Sequence, residues 1–235
     1  MRRVSESEYE GMVRDGEVLA RNDDGGITVR CADGTYLKVF RRPRVFSSAR
    51  LRPLSRRFVS AAERLKRFGI ASVEVLECIR VPHLRMDAVR YRGLPGASLS
   101  ARLNDAAADP VTRAAWLQEF ARFIARLHAN GVYFRGLRFD NVIANEEWFG
   151  LIDVAAARFR RGRLSPRLRA RNVHHFLRYE ADRAIVQEIG AAVFLRWYLE
   201  AAFLPRGDAQ RFLRRLRRSE PAMADDVDMV LGEQT

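Results

Sequence analysis

Lysine is almost missing from this chain: all but two of its 42 basic residues are arginine, and the exceptions are Lys38 and Lys66. Arginine supplies the general positive charge, so each lysine calls for its own explanation. Cysteine is scarce too. Cys31 and Cys78 stand far apart in unrelated contexts, which argues against a disulfide framework or a cysteine zinc site and predicts a reducing, cytoplasmic setting. No segment offers the roughly 20 uninterrupted apolar residues that a membrane span needs. The most apolar stretch, Ile189 to Leu204, is broken by Arg196 and Glu200 and reads as a buried helix. Met1-Arg2-Arg3-Val4-Ser5 has basic residues with no apolar run behind them, so no cleaved secretory signal is predicted. Zinc-finger spacing and an aromatic RNA-recognition signature are also lacking, so the net charge of +13 is not read as nucleic-acid binding. It points instead to an anionic partner.

What is present suffices for a globular protein: 235 residues, 48% hydrophobic, can bury one substantial core or two small lobes. From Glu17 to Phe40 the pattern predicts three short antiparallel strands, Glu17 to Arg21, Ile27 to Cys31 and Tyr36 to Phe40. They are separated by the turn signals Asn22-Asp23-Asp24-Gly25-Gly26 and Ala32-Asp33-Gly34-Thr35. Phe58, Ala61, Ala62, Leu65 and Phe68 have helical spacing and stop at Gly69, predicting a helix from Arg56 to Phe68. Strands are expected at Val73 to Val81 and Met86 to Tyr91, and Arg92-Gly93-Leu94-Pro95-Gly96 reads as a linker.

Beyond it the chain turns helical. Trp116, Leu117, Phe120, Ile124, Leu127 and His128 recur at spacings of three and four, and Asn130-Gly131 supplies a cap. Short extended pieces follow at Val132 to Arg135, Asn141 to Ala144 and Phe149 to Val154, then helix from Asn172 to about Arg218. The layout predicts an α+β protein with lobes at 1–92 and 93–218 and a loosely held tail at 219–235.

Lys38 stands inside the apolar strand Tyr36-Leu37-Lys38-Val39-Phe40. It is either a solvent-facing lysine of an edge strand or a buried lysine that needs an anion. Glu63, on the following helix, is either an exposed carboxylate or that partner. Leu151-Ile152-Asp153-Val154 ends an apolar strand in an acid, which serves as a strand-ending cap or as a ligand for a hard cation such as magnesium. The stretch from Leu127-His128 through Phe134-Arg135-Gly136-Leu137-Arg138-Phe139-Asp140-Asn141 resembles the catalytic loop of protein kinases, keeping its Arg, Leu and Asn in register.

The order of Lys38, Glu63, the linker, Asn141 and Asp153 covers about half the chain and resembles the protein-kinase-like superfamily. Within it the chain is most similar to the lipopolysaccharide core (Kdo and heptose) kinase group, including toluene-tolerance-type proteins. That resemblance implies a two-lobed fold: a small antiparallel sheet with one helix in the N-lobe and a mostly helical C-lobe. It implies an ATP-dependent kinase of a lipopolysaccharide core sugar, with an anionic sugar or glycolipid as acceptor and a peripheral contact with the anionic inner membrane. Lys38 then binds nucleotide phosphates, positioned by Glu63; Asn141 and Asp153 hold Mg²⁺; Gly25 and Gly26 cover the phosphates; Tyr91 opens the hinge beside the adenine. Aminoglycoside phosphotransferases are a related possibility, but they take cationic acceptors, against which the +13 charge argues.

Two positions depart from the pattern. Gly136 replaces the catalytic aspartate, leaving Asp140 as the candidate substitute base and a pseudokinase serving as a scaffold in envelope biogenesis as the alternative function. Phe134 replaces the usual histidine. The arginine clusters Arg41 to Arg57, Arg158 to Arg171 and Arg211 to Arg218 are either solvated surfaces or anion contacts, the second being the best placed for a phosphorylated sugar. His174 and His175 have no carboxylate or cysteine at metal spacing and read as structural.

Overall fold

Alternation at Glu17 to Arg41 and the tight turn at Asp33-Gly34 produce the meander that the sequence predicts. In the computed structural model, which describes residues 1–21, 26–42 and 53–234, the chain divides into two compact units. One comprises Met1–Pro95 with Gly150–Ala155, the other Gly96–Phe149 with Ala156–Thr235. Gly25, the rest of the Asn22 to Gly25 turn and most of the Arg41 to Arg57 cluster lie outside the described residues.

In chain order the first unit carries β1 (Arg2–Arg3), α1 (Glu6–Val13), β2 (Glu17–Arg21), β3 (Ile27–Arg30), β4 (Tyr36–Arg41), α2 (Leu54–Arg67), β5 (Ala71–Ser72), β6 (Glu74–Val81) and β7 (Met86–Arg92). Six of the strands form one sheet in the order β1-β6-β7-β4-β3-β2. The sheet is mixed, not wholly antiparallel as expected, because β1 runs parallel to β6 with Arg2 beside Ile79. Its two faces are both covered. Leu37, Val39, Ile79, Val81 and Ala88 pack with Val4 and with Tyr9 of α1. On the opposite face Phe58 of α2 meets Phe40 and Tyr91, with ring centroids 6.1 and 5.3 Å apart. A buried acid fastens α2 to the sheet: Asp87 accepts from Ser55 Oγ (3.2 Å) and from Arg80 Nε (2.9 Å).

The second unit carries β8 (Ala97–Ser98), α3 (Leu99–Leu103), α4 (Pro110–Ala129), β9 (Val132–Phe134), β10 (Val142–Ala144), β11 (Phe149–Leu151, which crosses into the first unit after Phe149), β12 (Ala157–Phe159), α5 (Pro166–Leu177), α6 (Glu180–Ile189), α7 (Ala191–Ala202), α8 (Arg206–Ser219) and α9 (Ala224–Glu233). Asp109 caps α4 by accepting from the amides of Val111 and Thr112 (2.8 and 3.0 Å), and Pro110 takes the first turn, where no amide hydrogen is needed. The core is aromatic: Phe120, Phe139, Phe176 and Phe194 are fully or almost fully buried, with Phe120 and Phe139 rings 5.1 Å apart. The expected loose tail is instead a packed helix. Met223, Val227 and Val230 are buried, and Asp226 Oδ1 accepts from the Ala192 amide at 3.0 Å.

Candidate functional site

The residues singled out by sequence fall into two groups, one in each unit. In the first, strand alternation decides where Lys38 points. Leu37 and Val39 face α1, so Lys38 shares the α2 side with Tyr36 and Phe40 and is only 7% exposed. A lysine so placed needs an anion. It has one: Nζ lies 2.9 Å from Asp153 Oδ1.

Several features bring Asp153 there. Gly150-Leu151 pairs in parallel with β5, and Ser72 Oγ donates to Leu151 O at 2.9 Å. Gly150 is required, since a Cβ at that position would stand 2.5 Å from Leu94 Cδ1 and 2.9 Å from Ala71 O. Three residues on, Asp153 takes φ +52. That left-handed conformation costs an L-residue about 1–2 kcal/mol, although Asp tolerates it better than most. The side chain is half exposed, and its Oδ2 has no partner among the described residues. Beside the pair, Tyr91 stacks on Tyr36 with centroids 5.5 Å apart. Burial, and secondarily the Asp153 carboxylate, drive its phenol pKa upward, so it stays neutral.

Glu63 does not join this group. It is exposed on α2, and Lys38 pairs with Asp153. The buried face of α2 is set by Phe58, Ala61, Ala62 and Leu65, and at about 100° per residue Glu63 lies well off it. Tyr91 lies inside the sheet, in register with Tyr36 and Val75, and contributes its ring. Gly26 is buried at the start of β3, while Gly25 lies outside the described residues.

The second group is the loop from Arg135 to Asn141, and three side chains hold it. Asn141 Nδ2 donates to Gly136 O at 2.7 Å, which fixes the amide and leaves Oδ1 as its free oxygen. Asp182, from the first turn of α6, is 4% exposed and accepts from the Phe139 amide at 3.0 Å. Burial raises its carboxyl to about 6, against the pull of that hydrogen bond and of Arg138. Asn172 of α5 clamps the strand before the loop, accepting from the Phe134 amide (3.0 Å) and donating to its carbonyl (2.7 Å).

Asn172 is the end of a directed chain. Its Oδ1 is an acceptor, so His128 Nε2 carries the proton and His128 Nδ1 accepts from the Tyr198 hydroxyl (2.8 Å), which in turn accepts from Arg169 Nη1 (3.0 Å). Desolvation, reinforced by Arg169, holds His128 down to about 3, and burial pushes Tyr198 up to about 12.

Asp140, the candidate substitute base, is exposed and ion-paired with Arg138, whose guanidinium stands 4.9 Å over the Tyr179 ring. Gly136 is cramped: a Cβ there would meet Phe134 Cε2 at 3.0 Å and Cζ at 3.2 Å, and Phe134 is fully buried. Replacing a glycine by alanine often stabilises through the unfolded chain. Here the ring has no room to yield, so Gly136→Ala is expected to lower stability by about 1 kcal/mol, read from urea unfolding midpoints.

Sequence reasoning missed Asp182, Asn172 and the role of His128. Each is a polar residue within a helix, and only burial distinguishes it from a surface one. The chain is thus an α+β protein with a buried lysine closed on a strained acid and, in its other unit, a loop fastened by three polar side chains. No family model matches the sequence, and no curated protein matches it.

Proposed function

We propose that the chain is a nucleotide-dependent phosphotransferase of the protein-kinase-like type, acting on an anionic sugar such as a phosphorylated lipopolysaccharide core sugar. The observation that carries this is the ion pair of buried Lys38 with Asp153 at a strand end with left-handed backbone. Strain of that kind is kept where the surroundings enforce it, commonly at functional sites.

The Lys38–Asp153 pair suits ATP with magnesium: an ammonium for phosphate oxygens and a hard carboxylate oxygen for the metal, which needs only one or two ligands from protein. Lys38 supplies a fixed positive charge on a dry face of the sheet. Asp153 offers Oδ2 to the cation while Oδ1 holds the lysine. A nucleotide held there would supply the phosphoryl group, and a magnesium ion held by Asp153 would neutralise part of its charge. The acceptor class rests on Arg158, Arg160, Arg161, Arg163, Arg167 and Arg171, exposed and without an ion-pair partner among the described residues. Guanidinium groups suit bidentate contacts with sugar phosphates. No helix among the described residues is long and apolar enough to cross a membrane.

A second reading, nucleotide binding without transfer, is favoured by Gly136: the space of an aspartate Cβ is taken by the Phe134 ring, and Asp140 is paired with Arg138. Calorimetry of ATP binding with and without Mg²⁺ tests the common premise. Magnesium-dependent binding that Asp153→Asn abolishes is expected, and the absence of binding by the unaltered protein would overturn both readings. Transfer of radiolabelled phosphate to core oligosaccharide then separates them.

A further inference from the structure

His175 is 8% exposed, and neither of its ring nitrogens has a hydrogen-bond partner among the described residues. A buried polar group left so costs about 1–3 kcal/mol. Its ring packs edge-on against Tyr133, with centroids 6.0 Å apart, and stands 6.0 Å from that of His174, which is itself engaged by Glu220.

Beyond Tyr133 and His174, the charged groups that face the ring are arginines: Arg178, Arg135 and Arg171. Arg171 and Arg178 lie one turn before and one turn after His175 on the same helix face. Arg135 directly follows β9, which the two hydrogen bonds of Asn172 fasten to α5. All three arginines are exposed and none has a carboxylate partner among the described residues; Arg178 rests over the Tyr179 ring at 5.3 Å. Burial first, then the charges of Arg178, Arg135, His174 and Arg171, hold His175 down to about 4, so the ring is neutral at physiological pH and carries one N–H.

We propose that Arg135, Arg171, Arg178 and His175 form a binding site for a phosphomonoester dianion. Guanidinium groups on long, exposed side chains turn inward to bracket the phosphate oxygens, and the imidazole N–H gains the acceptor it lacks. Arginine charge is permanent, so the site gathers the dianion without a proton of its own. The site shares no side chain with Lys38 and Asp153 and does not depend on nucleotide binding.

The test uses the full chain without nucleotide. Inorganic phosphate is titrated at constant ionic strength against chloride, and the thermal midpoint and heat of binding are read. Phosphate is expected to raise the midpoint where chloride does not. In the Arg171→Gln/Arg178→Gln variant, affinity falls about tenfold or more while the phosphate-free midpoint moves little, because both side chains are exposed and neither has a carboxylate partner among the described residues. His175→Phe, which keeps the ring volume and removes the nitrogens, weakens phosphate in the same direction. Competition by a hexose monophosphate assigns a soluble ligand, competition by phosphatidate vesicles assigns a lipid headgroup, and competition by neither overturns the assignment to phosphomonoesters. A phosphate effect no greater than that of chloride, or an equal effect in the double variant, overturns the site itself.

Discussion

Lys38→Met is expected to leave the protein as stable as before, or more so, while lowering its affinity for Mg·ATP about a hundredfold. Methionine matches the lysine stem in bulk and fits the apolar face shared with Phe40 and Tyr36. It also removes the cost of burying an ammonium. Asp153, half exposed, is solvated when its partner goes. The reverse change behaves differently. Asp153→Asn keeps a residue that tolerates φ +52 but leaves Lys38 buried without an anion, and stability is expected to fall by about 1–2 kcal/mol. Urea unfolding and calorimetric titration on the same preparations check both. A loss of stability in Lys38→Met comparable to that in Asp153→Asn would show that the pair serves the fold, and retained affinity would detach it from nucleotide binding.

Elements governed by local pattern were legible in the sequence. Strands β2, β3 and β4 lie within a residue or two of where periodicity and turn chemistry put them, and helix α4 ends at Asn130-Gly131 as its apolar spacing predicts, although it begins at Pro110, well before Trp116. Elements made by tertiary pairing were not. Two arginines at positions 2 and 3 carry no strand pattern, and β1 exists because it aligns with Ile79 and Arg80. Helix α1 buries only Tyr9, and the last helix, α9, was read as tail because its acids mask Val227 and Val230. Helix α5 begins at Pro166 rather than Asn172; Ser165-Pro166 was the available cap signal.

Much the same division runs through the candidate site. Lys38 and Asp153 stood out because each interrupts an apolar strand, and a charge in that position must be compensated. Glu63 was chosen from its place on the following helix, but helix rotation decides partners, and the apolar stripe of α2 turns it outward. Asp182 and Asn172 were invisible, since an acid in a first turn and an amide within an arginine-rich helix have ordinary surface explanations. Their function comes from the two backbone amides they reach, at Phe139 and Phe134.

The buried polar chain behind β9 is expected to make stability fall steeply in acid. His128 is held at about 3 in the folded protein against 6.5 for a free imidazole. The unfolded chain therefore takes up a proton below pH 6.5 that the native state refuses. Stability supported by the neutral ring is complete above pH 6.5 and is lost as pH falls toward 3, with about 3 kcal/mol gone by pH 4. His175, held at about 4, acts in the same direction. Asp182 opposes both. Its folded value of about 6 lies above the free carboxyl at 3.8, so the cost of its buried charge is relieved as pH falls through that window. Two substitutions separate these slopes. In His128→Gln, the stability deficit relative to the unaltered protein shrinks by about 3 kcal/mol between pH 7 and pH 4, because glutamine has no proton to gain. Asp182→Asn keeps an acceptor for the Phe139 amide and loses the buried charge. Relative to the unaltered protein it is more stable at pH 7 than at pH 4 by about 2 kcal/mol. Unfolding midpoints in urea at pH 7, 6, 5 and 4 measure both differences. If the His128→Gln deficit is the same at pH 7 as at pH 4, the imidazole titrates alike in folded and unfolded chains, and the directed chain from Arg169 to Asn172 is not what holds the loop's strand in place.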